Sequence, residues 1–313
     1  MGKEVLVGST GLVGQNLLQQ HDFDIAVHST NVSEAFVDDC ELVVYAGVPG
    51  TKYLANRDPE RDFAVVKAAR DNLRKIDANK VVLISTVDVY GVSIGKTELD
   101  APGGSGLTSY GANRLQLEEW VREDFPDASI IRLPAIYGEG LKKNFVHDMI
   151  HPAPPMLDAE KYYELASRSD LVRMGYEDAG NGFYIRTRGL GNSAEASVDC
   201  GSLDSWFSKQ EFNALSFTDS RARFQFFDLA GLWSCIQWVL DLQIELLNVA
   251  TPPVSAGEVY RFIFGDNWIN HTDKPIPDYD MRTIYGNDQV AAPGYLQTLD
   301  AELEDIKRFV LGV

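Results

Sequence analysis

Glu4-Val5-Leu6-Val7-Gly8-Ser9-Thr10-Gly11-Leu12-Val13-Gly14-Gln15-Asn16-Leu17-Leu18-Gln19-Gln20 decides the fold of this chain. The first four residues read as a short buried strand, and the residues after Gly14 follow a helical pattern. Strand, glycine turn and helix in that order are the context of a dinucleotide fingerprint. The glycines permit a tight turn and let the backbone approach a pyrophosphate. The helix start supplies free N–H groups and the positive end of a dipole. The spacing is Gly-x-x-Gly-x-x-Gly rather than Gly-x-Gly-x-x-Gly. Lying directly after a strand, it makes nucleotide binding the expectation, with Gly8, Thr10, Gly11, Leu12, Val13 and Gly14 as candidate contacts.

Working outward, strands and helices alternate. Ile25–His28 reads as a second strand, Ser33–Val37 as a brief connecting helix and Leu42–Ala46 as a strand. Asp58–Ile76 is a long amphipathic helix, Val81–Ser85 a strand, Tyr110–Phe125 a helix and Ser129–Leu133 a further strand. This alternation argues for an α/β fold with a doubly wound parallel sheet. The interval between the second strand and Leu42 is short, so a third strand there is vestigial or absent. After Gly140 the character changes. His151-Pro152-Ala153-Pro154-Pro155 breaks the pattern, and residues 156–215 mix short helices with Gly- and Ser-rich loops such as 189–193. Phe224–Leu246 returns to a strand and an apolar helix, and the chain ends in a helix over Asp300–Val310. The reading is a nucleotide-binding domain over 1–150, to which 216–250 returns, and a smaller C-terminal substrate domain over 151–215 and 251–313.

The 313 residues carry 28 Lys and Arg against 46 Asp and Glu, a net charge of −18. Such a charge disfavours nucleic acid and anionic membranes as partners, and any phosphate site must bring its own local cations. Cys40, Cys200 and Cys235 show no metal spacing, and the five histidines form no metal pattern, so no metal is expected. Sparse, odd cysteines suit a reducing compartment. Met1 leads straight into a core strand and no apolar run reaches about 18 residues, so a cytoplasmic protein without leader or membrane span is expected.

Two more segments carry chemistry. Val81-Val82-Leu83-Ile84-Ser85-Thr86 is an apolar strand ending in two hydroxyls. In an open parallel sheet, ligands bind beyond the carboxyl ends of strands, which puts Ser85 and Thr86 at a site position. Tyr110-Gly111-Ala112-Asn113-Arg114 sets a phenol and a guanidinium on one face of a helix. A phenol with a pKa of about 10 is a poor acid or base at neutral pH. A fixed cation beside it favours the phenolate and lowers that pKa, which makes the pair a candidate proton-transfer device.

Together these segments resemble the extended short-chain dehydrogenase/reductase family, which contains sugar-nucleotide epimerases, dehydratases and keto-sugar reductases. The matches run in order: the Gly8–Gly14 fingerprint, Ala46-Gly47, Ser85-Thr86 followed by Tyr90-Gly91, Tyr110-x-x-x-Arg114, and Arg132-Leu133-Pro134-Ala135-Ile136-Tyr137-Gly138. They cover residues 3–150 well and the remainder loosely. The resemblance implies a Rossmann-like fold, with hydride moving between a nicotinamide and a sugar carbon. By position Tyr110 is the acid/base, and Thr86 the hydroxyl sharing its oxygen, with Ser85 a second candidate. Arg114 stands where the family has the lysine that binds the nicotinamide ribose. Arginine keeps the charge but cannot copy an ammonium's contacts. A working variant, a slower enzyme and a cofactor-binding protein without chemistry all stay open. Lys52, after the Ala46-Gly47 strand, is a candidate second cation or a solvated loop lysine.

Ala46, Gly47, Pro134 and Ile136 are further implied cofactor contacts. The second strand ends in His28-Ser29-Thr30-Asn31, where NAD-preferring sites place an acid on the ribose hydroxyls. Its absence favours NADP, with NAD as the alternative. Asn144 falls where relatives hold the substrate diphosphate. Arg221, seven residues before Asp228, matches the spacing of a phosphate-binding arginine, and Arg282 is a second candidate. Val87-Asp88 stands where 4,6-dehydratases carry Asp-Glu, which argues against dehydration. The function expected is an NAD(P)-dependent keto-sugar reductase or epimerase on a nucleotide-activated sugar. A catalytically impaired regulatory or scaffold protein and a reductase of non-sugar carbonyls are the rivals. A homodimer is the candidate assembly.

Overall fold

A computed structural model describes residues 2–187, 200–286 and 292–313. The loop at 189–193 lies outside the described residues. The described residues fall into two compact units. The first comprises 1–141, 223–255 and 277–306; the second comprises 142–222, 256–276 and 307–313. The chain thus returns to the first unit twice, whereas the sequence alone suggests one return and groups 277–306 with the second.

The first unit is built on six parallel strands: β1 (Lys3–Val7), β2 (Ile25–Val27), β3 (Cys40–Tyr45), β4 (Lys80–Thr86), β5 (Ser129–Leu133) and the strand Leu246–Asn248. Their order is Leu246–Asn248, β5, β4, β3, β1, β2. Register places Val5 beside both Ile25 and Val43, and Leu83 beside Ile130. Side chains alternate across the sheet, as a period of two requires. Val5, Val7, Val43, Tyr45, Val81 and Leu83 pack on one face with Val66, Ala69 and Leu73 of helix α3 (Pro59–Ile76) and with Leu117 of α4 (Ser109–Asp124). Leu6, Val44, Val82 and Ile131 point the other way. They meet Leu17 of α1 (Leu12–Leu18) and Ile236 and Val239 of the helix Leu232–Asp241. Burial on both faces explains why these strands read as apolar runs.

The chain leaves β1 for β2 at one edge, then crosses back to β3. Between β2 and β3 there is a 3-10 turn, Val32–Ala35, and no strand among the described residues, as the short interval implies. The reversal lies between β1 and β3, where the Gly8 turn and Ala46-Gly47 end side by side. A ligand crevice forms at such a switch point.

Two short strand pairs, Ala135–Tyr137 with Phe226–Asp228 and Arg223–Phe224 with Val254–Ser255, complete this unit. The second unit has its own core around Leu157, Leu165, Val172, Tyr176 and Phe207. It contains a three-stranded antiparallel sheet of Met156–Asp158, Phe183–Arg186 and Tyr176–Asp178, where the sequence suggests only helices and loops. Strands of three or four residues are too short for a period of two to register. Asp204 stabilises this unit by accepting from both Arg186 terminal nitrogens at 3.0 and 2.9 Å, with His151 Nδ1 at 3.0 Å. No helix among the described residues is long and apolar enough to cross a membrane.

Candidate active site

The fingerprint turn is shaped by close approach. Gly8 has φ +99°, and a Cβ there would lie 2.4 Å from the Ala46 carbonyl oxygen. A Cβ on Gly14 would lie 2.2 Å from the Gly8 carbonyl oxygen, so α1 packs hard onto the turn. The Gly8 and Ser9 amides donate to the Val27 carbonyl at 2.8 and 3.0 Å, tying the turn to β2. Thr10 and Gly11 are exposed at its tip, and α1 starts after Gly11 without a side-chain cap. Leu12 and Val13 are half-buried against the sheet core. The result is a glycine cradle whose outer backbone is open to a pyrophosphate, the group it fits.

At the end of β2, the Asn31 side chain accepts from the His28 amide at 2.8 Å, and the Thr30 hydroxyl lies 3.1 Å from His28 Nδ1. Ser29 and Thr30 are exposed. An acid the sequence reading passed over, Glu34, receives a bond from Asn31 Nδ2 at 3.2 Å. Pro134 and Ile136 are half-buried just past the carboxyl end of β5.

Tyr110 and Thr86 come together. Thr108 caps α4 by accepting from the Gly111 amide at 3.3 Å, and Asn56 of helix α2 (Lys52–Arg57) accepts from the Tyr110 amide at 2.8 Å. A Cβ on Gly111 would lie 2.0 Å from the Asp88 carbonyl oxygen. Glycine there lets α4 reach the turn that follows β4. The Thr86 hydroxyl accepts from the Asp88 amide at 3.3 Å and lies near enough to the Tyr110 phenol to favour its ionised form. Tyr110 is 8% exposed.

Arg114 departs from expectation. Its Nη1 and Nη2 donate to Asp62 of α3 at 2.8 and 2.9 Å, and Nη2 also donates to the Pro49 carbonyl at 2.7 Å. Its guanidinium carbon stacks 4.4 Å from the Tyr110 ring centroid. Burial works against the Asp62 charge, and the bonds from Arg114 and Asn113 outweigh it, holding that carboxyl below its usual range. The sequence suggests a cation that lowers the Tyr110 pKa. The phenol is instead pushed up: burial dominates, the Arg114 charge and the Thr86 hydroxyl pull down, and Asp88 adds to the rise. Tyr110 is therefore protonated at neutral pH.

Ser85 donates to Glu118 at 2.6 Å, and Glu118 is held by the fully buried Arg132 at 3.0 and 2.5 Å. Its hydroxyl is thus spent on a core network that also reaches the Tyr90 hydroxyl from Arg132 at 2.7 Å. Lys52 is no free loop lysine. Its Nζ lies 2.5 Å from Asp88 Oδ1 and 3.0 Å from the Tyr279 hydroxyl, which itself donates to Asp88 at 3.2 Å. Burial disfavours this ammonium, and Asp88 with Tyr279 more than offsets that, keeping it charged. Tyr279 had no signal of its own: it lies 227 residues from Lys52.

The substrate candidates fall in both units. Thr86 and Arg282 belong to the first, and Asn144 and Arg221 to the second. Arg282 donates to Asp280 at 3.3 and 3.4 Å. Arg221 is paired with Asp219 at 2.8 and 2.9 Å, its fork already used. Asn144 has φ +120° and accepts from the His147 amide at 3.0 Å. It lines a cavity of about 400 Å³ with Lys142, Lys143, Lys161, Phe183 and Phe212. Among the described residues no cluster of His, Cys, Asp and Glu could hold a metal ion.

Residues 3–156 match the model of the RmlD substrate binding domain family. No curated protein matches the chain in sequence. Among solved structures, the chain is similar to dTDP-4-dehydrorhamnose reductase from Bacillus anthracis in complex with NADP, at 15% identity and TM-score 0.63, covering 100% of both chains. It is similar to TunA, an NAD-dependent NDP-hexosamine 5,6-dehydratase of tunicamycin biosynthesis, at 14% identity and TM-score 0.62, covering 100% of this chain and 97% of that one. It is also similar to UDP-N-acetylglucosamine 4-epimerase from Bacillus cereus, at 13% identity and TM-score 0.57, covering 99% and 98%. With the fingerprint turn and the sheet order in place, the chain has the Rossmann-like fold of these structures, and its first half matches the RmlD substrate binding domain family, in line with the resemblance to the extended short-chain dehydrogenase/reductases.

Proposed function

We propose that this protein is an NADP-dependent reductase of a keto-sugar carried on a nucleoside diphosphate. The observation that carries this reading is the buried, protonated Tyr110 phenol beside Thr86 at the carboxyl end of β4. When bound, the reduced cofactor supplies a hydride to the keto carbon. Tyr110 gives its proton to the developing alkoxide, and Thr86 orients the same oxygen. A phenol protonated at rest suits reduction, whose first need is an acid. An epimerase that begins by oxidising its substrate needs a base at that position, and burial works against one.

The Gly8 and Gly14 contacts fit a pyrophosphate held on the backbone of the turn. The end of β2 offers His28, Ser29 and Thr30 as donors to a 2′-phosphate, with no acid among them. Glu34, one residue span away through Asn31, is the counterargument for NAD. In the second unit, Lys142 and Lys143 line the cavity beside Asn144 together with Asp148, Asp158 and a Lys161 that is paired with Glu164, and these lysines are the cations that a chain of net charge −18 would offer a diphosphate. The apolar rings of Phe183 and Phe212 suit a base or sugar face. This supports a phosphate-bearing substrate over a simple carbonyl.

The test is Tyr110→Phe assayed with NADPH across a panel of nucleotide 4-keto-sugars. Turnover is expected to fall by roughly 10²–10⁴-fold. NADPH should still raise the melting temperature of the variant, and by more than NADH does. Undiminished turnover in Tyr110→Phe sinks the mechanism. Cofactor stabilisation without turnover in the parent chain favours a binding protein without chemistry.

A further inference from the structure

Arg132 stands in the apolar run Ile130-Ile131-Arg132-Leu133 of β5, and register sets it beside Ser85 of β4 on one side and Asn248 on the other. Glu118 follows Tyr110 on α4 by about two turns, on roughly the same face. Both charged side chains are fully buried, at 0% exposure. Arg132 Nε and Nη2 donate to the two Glu118 carboxylate oxygens at 3.0 and 2.5 Å, and the Ser85 hydroxyl donates to the first of these oxygens at 2.6 Å. Arg132 Nη1 donates to the Tyr90 hydroxyl at 2.7 Å. That hydroxyl donates to the Thr97 carbonyl at 2.8 Å and accepts from Asn248 Nδ2 at 3.2 Å. Arg122 reaches Glu118 from the solvent side at 3.5 Å and adds little.

An ion pair is a costly way to fill a core. Desolvating two charges takes back most of what their attraction gives, and apolar side chains of similar volume often serve stability as well. What apolar packing does not do is fix direction. Leu117 and Val121 of α4 lie in the core against the sheet, and contacts of that kind tolerate small slides and rotations of a helix. The Arg132 fork accepts the Glu118 carboxylate in one arrangement. Ser85 is the chain neighbour of Thr86, so one carboxylate holds both the strand end that carries Thr86 and the helix that carries Tyr110.

We propose that the buried Glu118–Arg132 pair, joined by Ser85, is a register lock between α4 and β4, which makes Glu118, Arg132 and Ser85 positioning residues of the reaction. The space at Gly111 sets how close α4 comes to the turn after β4. The lock sets where α4 stops along and around its own axis, and hence where the Tyr110 phenol stands beside Thr86. This assignment rests on Tyr110 as the acid, but one arm of its test does not depend on turnover.

The test replaces the cluster by apolar side chains in the full chain, as Ser85→Ala with Glu118→Leu and Arg132→Met. Stability in denaturant should stay near the parent's, so that lost turnover is not lost fold. The kcat should fall by about 10²-fold, the scale of a small misplacement of a reacting group. KM for NADPH and the NADPH-dependent rise in melting temperature should hold, because the Gly8 turn is untouched. In chains labelled with 3-fluorotyrosine, the fluorine resonance of Tyr110, the one lost in Tyr110→Phe, should move or split. Arg132→Lys keeps the charge balance and loses the fork, and it decides by the same two readouts if the apolar variant does not fold. Its resonance should move and its kcat fall by roughly tenfold at the parent's KM for NADPH. Ser85→Ala alone should cost less than Arg132→Lys, since the ion pair stays; a larger loss places Ser85 on the substrate and overturns its positioning role. An unmoved Tyr110 resonance in the folded variants overturns the lock, and so does a moved one at the parent's kcat. A parent chain without turnover sinks the functional reading alone, and the resonance then decides the lock.

Discussion

Arg114 stands where the resemblance places a lysine, and its side chain is engaged by Asp62 and the Pro49 carbonyl. Lysine is the usual occupant, and it acts as a point charge on a flexible stem. Arginine brings a planar fork, and here the fork closes on Asp62 while a third bond reaches the Pro49 carbonyl. Arg114→Lys should therefore cost about 2 kcal/mol, because an ammonium cannot make the bidentate contact. It should not raise turnover. Denaturant unfolding and a keto-sugar assay check both halves; equal stability with faster turnover would show that Arg114 is a weakened catalytic cation. The placement of Thr86 at a strand end and Tyr110 at a helix start was legible because each sits at a fixed offset within its own segment. The Arg114 role was not, because Asp62 lies 52 residues upstream on another helix. For the same reason Lys52 could be only one candidate among the lysines: its partners are 36 and 227 residues away. Ser85 was misleading, since a strand-end hydroxyl looks the same whether it faces a ligand or a buried carboxylate such as Glu118.

At the scale of elements, the site depends on how closely α4 approaches the turn after β4. The carbonyl of Asp88 occupies the space where any side chain at 111 would begin, 2.0 Å from the Cβ position. Backbone cannot yield as a flexible side chain would. Gly111→Ala should shift the start of α4, cost about 1–3 kcal/mol and separate Tyr110 from Thr86. Turnover should drop while NADPH-dependent stabilisation persists, because the Gly8 turn is untouched; full turnover in this variant would mean that the approach is incidental. The main elements were readable because their signals agree. Asp58 caps α3 by accepting from the Arg61 amide at 3.2 Å, Pro59 opens it, and Asp77 ends it at φ +48°. Helix α2 escaped notice because six residues give less than two turns of periodicity. The antiparallel strands of the second unit escaped because Phe183–Arg186, though it alternates exposed and half-buried residues, is only four residues long, too short for that alternation to be read.

At the scale of the whole molecule, one buried carboxyl ties the returning segments of the first unit to its pH response. Glu302 is fully buried and accepts from the Phe226 amide at 2.7 Å and the Thr251 hydroxyl at 3.4 Å. Its second oxygen has no hydrogen-bond partner. Burial pushes its pKa from 4.5 up to about 9, against the pull of those two donors. The unfolded chain releases this proton near pH 4.5 and the folded chain holds it to about 9. Between those values unfolding releases a proton, so rising pH favours the unfolded state by about 1.4 kcal/mol per unit from this group. The contribution levels off above pH 9, where both states are ionised. Glu302→Gln keeps an acceptor for Phe226 and Thr251 and removes the titration. The variant should match the parent near pH 5 and exceed it increasingly toward pH 9, with a flatter dependence of unfolding free energy on pH across that window. Parallel curves for the two proteins would show that Glu302 ionises without cost, and that its burial does not govern the alkaline stability of this unit.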